Sequence, residues 1–121
     1  MTALVWAGVV VIGGFGSVLR FVVDGVVGTR WGRGFPFGTL VVNVSGAMIL
    51  GLITGLALSA DLALVAGTAA VGSYTTFSTW MFETQRLTEE RQNRSAAINV
   101  VVSLVLGVGA AALGRWIGLQ I

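Results

Sequence analysis

The sequence predicts an all-α membrane protein, a single domain of four transmembrane helices over residues 1–121. Of these residues 55% are hydrophobic, and only 7 basic and 5 acidic residues remain to cover a surface, far fewer than a soluble domain carries. The charges also leave four long uncharged stretches, at residues 1–19, 34–60, 62–82 and 95–114. Because a helix needs roughly 20 mostly apolar residues to cross a bilayer, each stretch is long enough within one or two residues.

Missing residue types exclude several kinds of function. The chain has no cysteine, which rules out disulfides and thiolate chemistry, and no histidine, the usual general base near neutral pH. The formal net charge is only +2 and the arginines are scattered, so no basic stripe is available for a nucleic acid. We therefore expect neither an enzyme nor a nucleic-acid partner.

The first two predicted spans cover residues 3–23 and 37–59. A cleaved signal peptide is the alternative for the first stretch, but no arginine or lysine precedes it and no small-residue cleavage site ends it. The connection at 28–38 contains the only proline, Pro36, and is expected to be a loop before the second helix. The chain is thus expected to be a multi-pass protein of the cell membrane.

The last two predicted spans cover residues 62–83 and 95–117. Only Asp61 is charged between the second and third spans, which predicts a tight hairpin there. Residues 83–94 carry glutamates and arginines at helical spacings, so this segment is expected to continue as a solvated helix.

Glycines recur four positions apart in two of the predicted spans, as Gly51 and Gly55 and as Gly114 and Gly118. Such spacing lets helix backbones approach closely inside a membrane. We interpret these pairs as packing devices and not as a dimer signature.

The third span contains the densest polar cluster at membrane depth. Six of the seven residues from 73 to 79 carry hydroxyls, and the midpoint of the span falls near Gly72. Glycine followed by β-branched hydroxyl residues favours an opening of the helix, whose exposed carbonyls then need protein, water or an ion as partners. The alternative is that the hydroxyls bond back to their own helix or join neighbouring helices.

The other deep polar groups suit an anion. Asn43 and Ser45 lie in the second span, and Asn99 and Ser103 lie one turn apart in the fourth. Asn43 could bridge helices or offer its NH₂ group to an anion. The deep part of the spans has no acidic or basic side chain, which argues against a proton relay or a cation exporter.

Aromatic side chains accompany the hydroxyls. On a regular helix Phe77 and Trp80 share one face, roughly opposite Thr75, Ser78 and Thr79. Ring edges carry the positive part of the quadrupole and can face an anion, although lipid contact or core packing is the alternative role. Carbonyls near an opened helix would instead suit a small hard cation.

Three motifs together resemble those of the Fluc (CrcB) fluoride channels. They are GSYTTFST at 72–79 with Glu83 beyond it, GGFGSVLR at 13–20 and PFGTLVVNVSG at 36–46. The resemblance covers essentially the whole chain, including its length and four-span layout. It implies two four-helix subunits that insert in opposite orientations as an antiparallel dimer, each with a break in the third helix. Such a dimer passes fluoride passively and so protects the cell.

The resemblance also implies roles for individual residues. A structural Na⁺ at the dimer centre, which is not transported, would be held by the main-chain carbonyls of Gly72 and Thr75. Arg20, which ends the first uncharged stretch, is expected to be a structural anchor near the interface. The residues expected along the ion pathway are Asn43, Phe77, Ser78, Thr79, Trp80, Glu83 and Ser103.

Trp80 departs from the family motif, which has a second phenylalanine at this position. Tryptophan keeps an aromatic edge, but it is larger and adds an N–H donor. The geometry of this part of the pore is therefore expected to differ from the family pattern.

The charges are divided unevenly between the two sides of the predicted membrane domain. Four spans place Arg20 and five other arginines toward one side, and Arg115 with the amino terminus on the other. This bias favours one orientation, with both termini outside. The subunit therefore pairs either with itself or, as we hypothesise, with an oppositely biased paralogue.

Two other functions remain as alternatives. One is a small exporter of cationic drugs, similar to the small multidrug resistance proteins, but that class relies on a carboxylate in its first span and residues 1–19 contain none. The other is a non-transporting subunit that packs its helices in a larger complex.

Overall fold

The computed structural model describes residues 2–121, and every regular element among them is helical. The elements, in chain order, are α1 (Ala3–Trp31), α2 (Phe37–Leu56), α3 (Ala60–Ala63), a π-helical segment (Leu64–Val71), α4 (Gly72–Tyr74), α5 (Ser78–Glu89) and α6 (Asn93–Gln120). Of these, α1, α2 and α6 are each long and apolar enough to cross a membrane. The predicted all-α membrane class is therefore confirmed.

The first helix extends past the predicted bound at residue 23 and ends at Trp31. Its start is capped by Thr2, whose Oγ1 accepts a backbone hydrogen bond from the first turn. Its end is set by Gly32, which has a φ of 86° and donates its N–H to the Gly28 carbonyl at 3.0 Å. The predicted loop is confirmed for residues 32–36, where it ends at Pro36 before α2, but its predicted start at residue 28 was wrong because the chain stays helical up to this cap.

The second helix ends at Leu56, before the predicted bound at residue 59, because Ala57 is left-handed with a φ of 52°. Asp61 then lies in the first turn of α3, after this short turn. The last helix, Asn93–Gln120, extends beyond both ends of the predicted span 95–117.

Helices α2 and α6 pack closely and run in the same direction. Gly51 lies against the main chain of Ala111, and one turn further along both helices Gly55 lies against that of Arg115. A Cβ atom on either glycine, or on Gly114 opposite, would overlap with the backbone of the neighbouring helix. The predicted role of the glycine pairs as packing devices is confirmed.

Between α2 and α6 the chain is built from short pieces and not from one helix over 62–83. Leu64–Val71 forms wide π-helical turns, and α1 lies so close to it that a Cβ on Gly16 would meet the Ala70 carbonyl oxygen at 2.6 Å. Helix α4 ends at Tyr74 because Thr75 is extended, with a ψ of 162°. Helix α5 begins only at Ser78.

The polar end of the molecule is organised by Arg86, on α5. Its Nε lies 3.0 Å from Glu83 and its Nη1 lies 3.0 Å from Glu90, one helical turn away on either side. The hydrogen bond that Arg86 donates to Glu83, reinforced by those to Glu90, raises the pKa of the guanidinium above its ordinary value. Arg86 also donates to the Arg33 carbonyl at 3.4 Å, so the connection between α1 and α2 lies at this same end. The predicted solvated helix is confirmed as far as Glu89.

Candidate functional site

The extended chain between α4 and α5 is held by one side chain of α2. Asn43 Nδ2 donates to the Thr76 carbonyl and Asn43 Oδ1 accepts from the Thr76 N–H, each at 2.8 Å. Thr76 is 9% exposed, so both of its main-chain groups would lack a partner without this amide. Gly46 adds room, because a side chain there would overlap with Thr75. The sequence leaves two roles open for Asn43, bridging helices or binding an anion. In the structure its side chain bridges α2 and the extended chain at Thr76.

The same arrangement withdraws hydrogen-bond donors from two carbonyls. In a continuous helix the Thr76 N–H would bond the Gly72 carbonyl and the Thr79 N–H would bond the Thr75 carbonyl. Instead, Thr76 donates to Asn43, and Thr79 donates to Thr76 Oγ1 at 3.2 Å. Both carbonyl oxygens are thereby left to accept from, or coordinate, something other than the helix.

The hydroxyls of this region divide between the two expected behaviours. Ser73 donates to the Ala69 carbonyl at 2.6 Å and Thr75 donates to the Val71 carbonyl at 3.0 Å, so these two bond back to their own segment. Other hydroxyls point elsewhere. Tyr74 shares a 2.9 Å hydrogen bond with Ser45 of α2, which fastens α4 to that helix.

A cleft of about 350 Å³ opens beside the extended chain, between α2 and α6. Its polar and aromatic lining consists of Asn43, Thr75, Thr76, Phe77, Trp80 and Ser103. The rings of Phe77 and Trp80 pack edge to face, with centroids 5.7 Å apart and an interplanar angle of 82°. Thr75 was predicted to lie opposite Phe77, and this prediction was wrong because the interrupted helix brings both to one cleft.

Other predicted residues lie in two further clefts toward the polar end. Arg20 and Thr79 line one of about 200 Å³, together with Thr39 and Thr76. Glu83 lines another of about 260 Å³, which also contains Arg33, Arg86 and Thr39.

Neighbouring clefts of these three share lining residues. Thr76 lines both the first cleft and the one containing Arg20, and Thr39 lines both that cleft and the one containing Glu83. Ser78 is exposed and lines none of the three, although its Oγ lies 3.4 Å from Thr76 Oγ1.

Sequence reasoning did not single out Thr76, which lines two clefts and whose main-chain N–H and carbonyl both hydrogen-bond to the Asn43 side chain. It belongs to a run of hydroxyl residues, and nothing in their spacing tells which one faces α2. Asn43 and Thr76 lie 33 positions apart, so their contact depends on how the short pieces between them are arranged. The available signal was that the sequence combines a deep amide with a predicted opening of a helix.

Comparison with known proteins gives consistent matches over most of the chain. Residues 7–115 match the family model described as CrcB-like protein, Camphor Resistance (CrcB). The chain is 67% identical over 114 residues, 94% of its length and 93% of the relative, to fluoride-specific ion channel FluC 2 of Mycolicibacterium paratuberculosis. It is 45% identical over 122 residues, 98% of its length and 89% of the relative, to fluoride-specific ion channel FluC 1 of Leifsonia xyli subsp. xyli. On these matches the chain belongs to the CrcB family.

Proposed function

We propose that the chain is a subunit of a fluoride-specific ion channel, through which fluoride leaves the cell passively. Relatives that are 45% and 67% identical carry that name. The observation that carries the proposal for this chain is that two neighbouring clefts share Thr76 as a lining residue and that one of them contains Asn43 and Phe77. Hydroxyl and amide donors suit a small anion, and a ring edge offers it the positive part of the quadrupole. Passive conduction needs no reacting group, so the protein is a channel and not an enzyme.

Fluoride efflux from liposomes tests this function. Purified protein is reconstituted in vesicles loaded with potassium fluoride. A potassium ionophore lets K⁺ leave together with fluoride, so that no membrane potential opposes release, and an ion-selective electrode follows the fluoride. We expect rapid fluoride release and none above background from matched vesicles loaded with chloride. Absence of fluoride release from correctly assembled protein would overturn the proposal and favour a non-transporting subunit.

Residues 62–83 are proposed to form one further crossing, the third along the chain, interrupted at residues 75–77. The directions of the helices support this crossing. Because α2 and α6 run parallel, the chain between them must return along the length of α2. The contact of Arg86 with the Arg33 carbonyl indicates that this return reaches the end at which α2 begins. Four crossings place both termini on one side.

Two such subunits are proposed to associate in opposite orientations. Phe77 is 70% exposed at the open side of the first cleft, although it lies in the interrupted part of the predicted third span. An apolar ring beside polar donors needs a cover that excludes lipid from the pathway. A second subunit related by a two-fold axis in the membrane plane would provide that cover.

The carbonyls of Gly72 and Thr75 are proposed to hold a structural Na⁺ where the two subunits meet. Small hard cations prefer oxygen ligands, and these two oxygens have lost the N–H groups that would bond them in a continuous helix. Residues 2–121 contain no group of three or more acidic, histidine or cysteine side chains, so a cation here would rely on the main chain. The ion is coordinated by the exposed carbonyl oxygens and is not transported.

Removing sodium is expected to reduce fluoride efflux about tenfold or more. Unsatisfied carbonyls destabilise the interrupted segment, and a loss of only about 1.4 kcal/mol is a factor of ten in a population. Protein is purified and reconstituted with N-methyl-D-glucamine in place of sodium, and efflux is measured before and after Na⁺ is restored. Full activity throughout the sodium-free preparation would contradict the site.

The pairing partner is proposed to be an oppositely biased paralogue. Arg33 and Arg86 meet at one end, together with most of the other arginines, and this bias favours insertion in a single orientation. A subunit fixed in one orientation has no copy of itself in the other.

Expression of the chain alone tests the pairing. We expect the wild-type chain alone to release no fluoride and its Phe77→Cys variant to give no crosslinked dimer, and we expect co-expression of a paralogue from the same genome to restore efflux to the wild type. Fluoride efflux through the wild-type chain alone, together with a crosslinked Phe77→Cys dimer of this chain, would establish self-pairing and reject the heterodimer.

A further inference from the structure

A ring of hydrogen bonds joins α5 to α6 beside the first cleft. The indole Nε1 of Trp80 donates to the main-chain carbonyl of Asn99 at 3.3 Å. The Asn99 side chain donates from Nδ2 to Thr84 Oγ1 at 2.9 Å, and Thr84 Oγ1 donates to the Trp80 carbonyl at 2.8 Å. Asn99 is 1% exposed. These three bonds fix the indole at both its ring and its backbone.

The bond to the Asn99 carbonyl leaves the Ser103 hydroxyl without its usual acceptor. A serine in a helix commonly donates to the carbonyl four residues before it, which for Ser103 is the carbonyl of Asn99. That oxygen has two lone pairs, of which the helical N–H of Ser103 takes one and the Trp80 indole takes the other. Ser103 Oγ is buried and has no hydrogen-bond partner among residues 2–121.

An unpartnered hydroxyl at this position is available to an ion. Ser103 lines the same cleft as Asn43 and Phe77, so rotation of its side chain about the Cα–Cβ bond can turn the buried hydroxyl toward an anion there. A buried donor without an acceptor is costly, and a hydrogen bond to a charged acceptor is stronger than one to a neutral carbonyl. The hydroxyl therefore gains more from an anion than it would from its own helix.

We propose that the Trp80–Asn99 hydrogen bond controls fluoride conduction by occupying the carbonyl that would otherwise hold Ser103, which frees the Ser103 hydroxyl to donate to the anion. Asn99 is then a positioning residue, because its carbonyl and amide place Trp80 without either touching the ion. The tryptophan N–H, which phenylalanine lacks, is what occupies the Asn99 carbonyl. This inference rests on the proposed fluoride conduction.

Four variants test the coupling by fluoride efflux from liposomes. Trp80→Phe keeps an aromatic ring but removes the N–H, so Ser103 can bond back to the Asn99 carbonyl. Ser103→Ala removes the hydroxyl itself. We expect each variant to conduct about tenfold more slowly than the wild type, and the double variant to be no slower than either single one. Trp116→Phe, which alters a ring that is 60% exposed at the other end of α6, is the matched control and is expected to conduct normally.

The efflux of the double variant distinguishes this coupling from a purely structural contact between α5 and α6. If the effects of Trp80→Phe and Ser103→Ala multiply in the double variant, the two side chains act independently and the proposal is overturned. Unchanged efflux in Trp80→Phe overturns it as well. If the wild type itself releases no fluoride, the proposed function has failed, and the hydrogen bond is then judged by a measurement that needs no flux.

That measurement is hydrogen exchange of the indole proton in detergent micelles. Indole ¹⁵N–H signals are assigned by single Trp→Phe changes and followed after transfer to D₂O. We expect the Trp80 proton to exchange about tenfold or more slowly than that of Trp31, which is 60% exposed, and Thr84→Val to accelerate it. Exchange of Trp80 as fast as that of Trp31 means that the hydrogen bond does not persist, and it overturns the proposal.

Discussion

Replacing Asn43 by alanine is expected to abolish measurable fluoride conduction while α2 and α6 stay paired. The change deletes both 2.8 Å hydrogen bonds to the main chain of Thr76, a residue that is 9% exposed. Each buried group left without a partner costs about 1–3 kcal/mol, so the extended segment loses about 2 kcal/mol or more. The Thr76 N–H is then free to rejoin the Gly72 carbonyl, which closes the helix across the site.

Efflux of fluoride from liposomes measures this effect, with elution from a size-exclusion column as the check on assembly. Ser17→Ala is the control, since it also removes a polar group from an apolar helix, but one that only bonds back to the Gly13 carbonyl. The control is expected to conduct as the wild type does. Efflux through Asn43→Ala within about twofold of the wild type would show that the amide clamp is dispensable, because that ratio is well under 1 kcal/mol.

Replacing Gly114 by valine is expected to destabilise the fold strongly. A Cβ at this position would overlap with the Met48 carbonyl, and it would lie 2.9 Å from the Leu52 nitrogen. The contact is with backbone and not with a flexible side chain, so α6 must move away from α2 along its length. Overpacking costs about 1–3 kcal/mol even where side chains can adjust, and a rigid backbone contact is expected to reach the upper end of that range.

The midpoint of unfolding in a denaturing detergent measures the loss, and the yield of protein that elutes as an assembled species gives a second readout. Gly109→Ala is the matched control on the same helix, because a Cβ there would have no atom within 4 Å. We expect this control to be as stable as the wild type. A Gly114→Val variant with the wild-type midpoint would mean that the two helices are not held at this distance.

Much of the fold follows from where charges are absent. The spans assigned to α1, α2 and α6 were predictable because uncharged stretches long enough to cross a bilayer leave few other choices. The glycine pairs were predictable for a similar reason, since a repeat of four positions selects one helix face. Helix ends were less accurate, because they depend on single backbone conformations such as the left-handed Ala57.

The candidate site was predictable as a region and not as a geometry. A run of hydroxyls at membrane depth is unusual enough to mark residues 73–79, but the periodicity of a regular helix placed Thr75 and Phe77 on opposite faces. Once the helix is interrupted, that periodicity no longer applies. The partners of Thr76 and of Trp80 lie on other helices, at 33 and 19 positions along the chain, and local spacing carries no information about such contacts.

The π-helical turns of Leu64–Val71 affect how the protein tolerates changes in chain length. An α-helix bonds each N–H four residues back and a π-helix five, so converting a π turn into an α turn absorbs one deleted residue. Elsewhere in a helix the same deletion rotates everything beyond it by about 100°. A one-residue deletion in this segment can therefore leave Asn43 facing Thr76, whereas one between Ser78 and Thr84 would turn Thr84 away from Asn99. The π-helical segment can absorb a change in chain length before the site, and it lets α4 and α5 keep their alignment with α2.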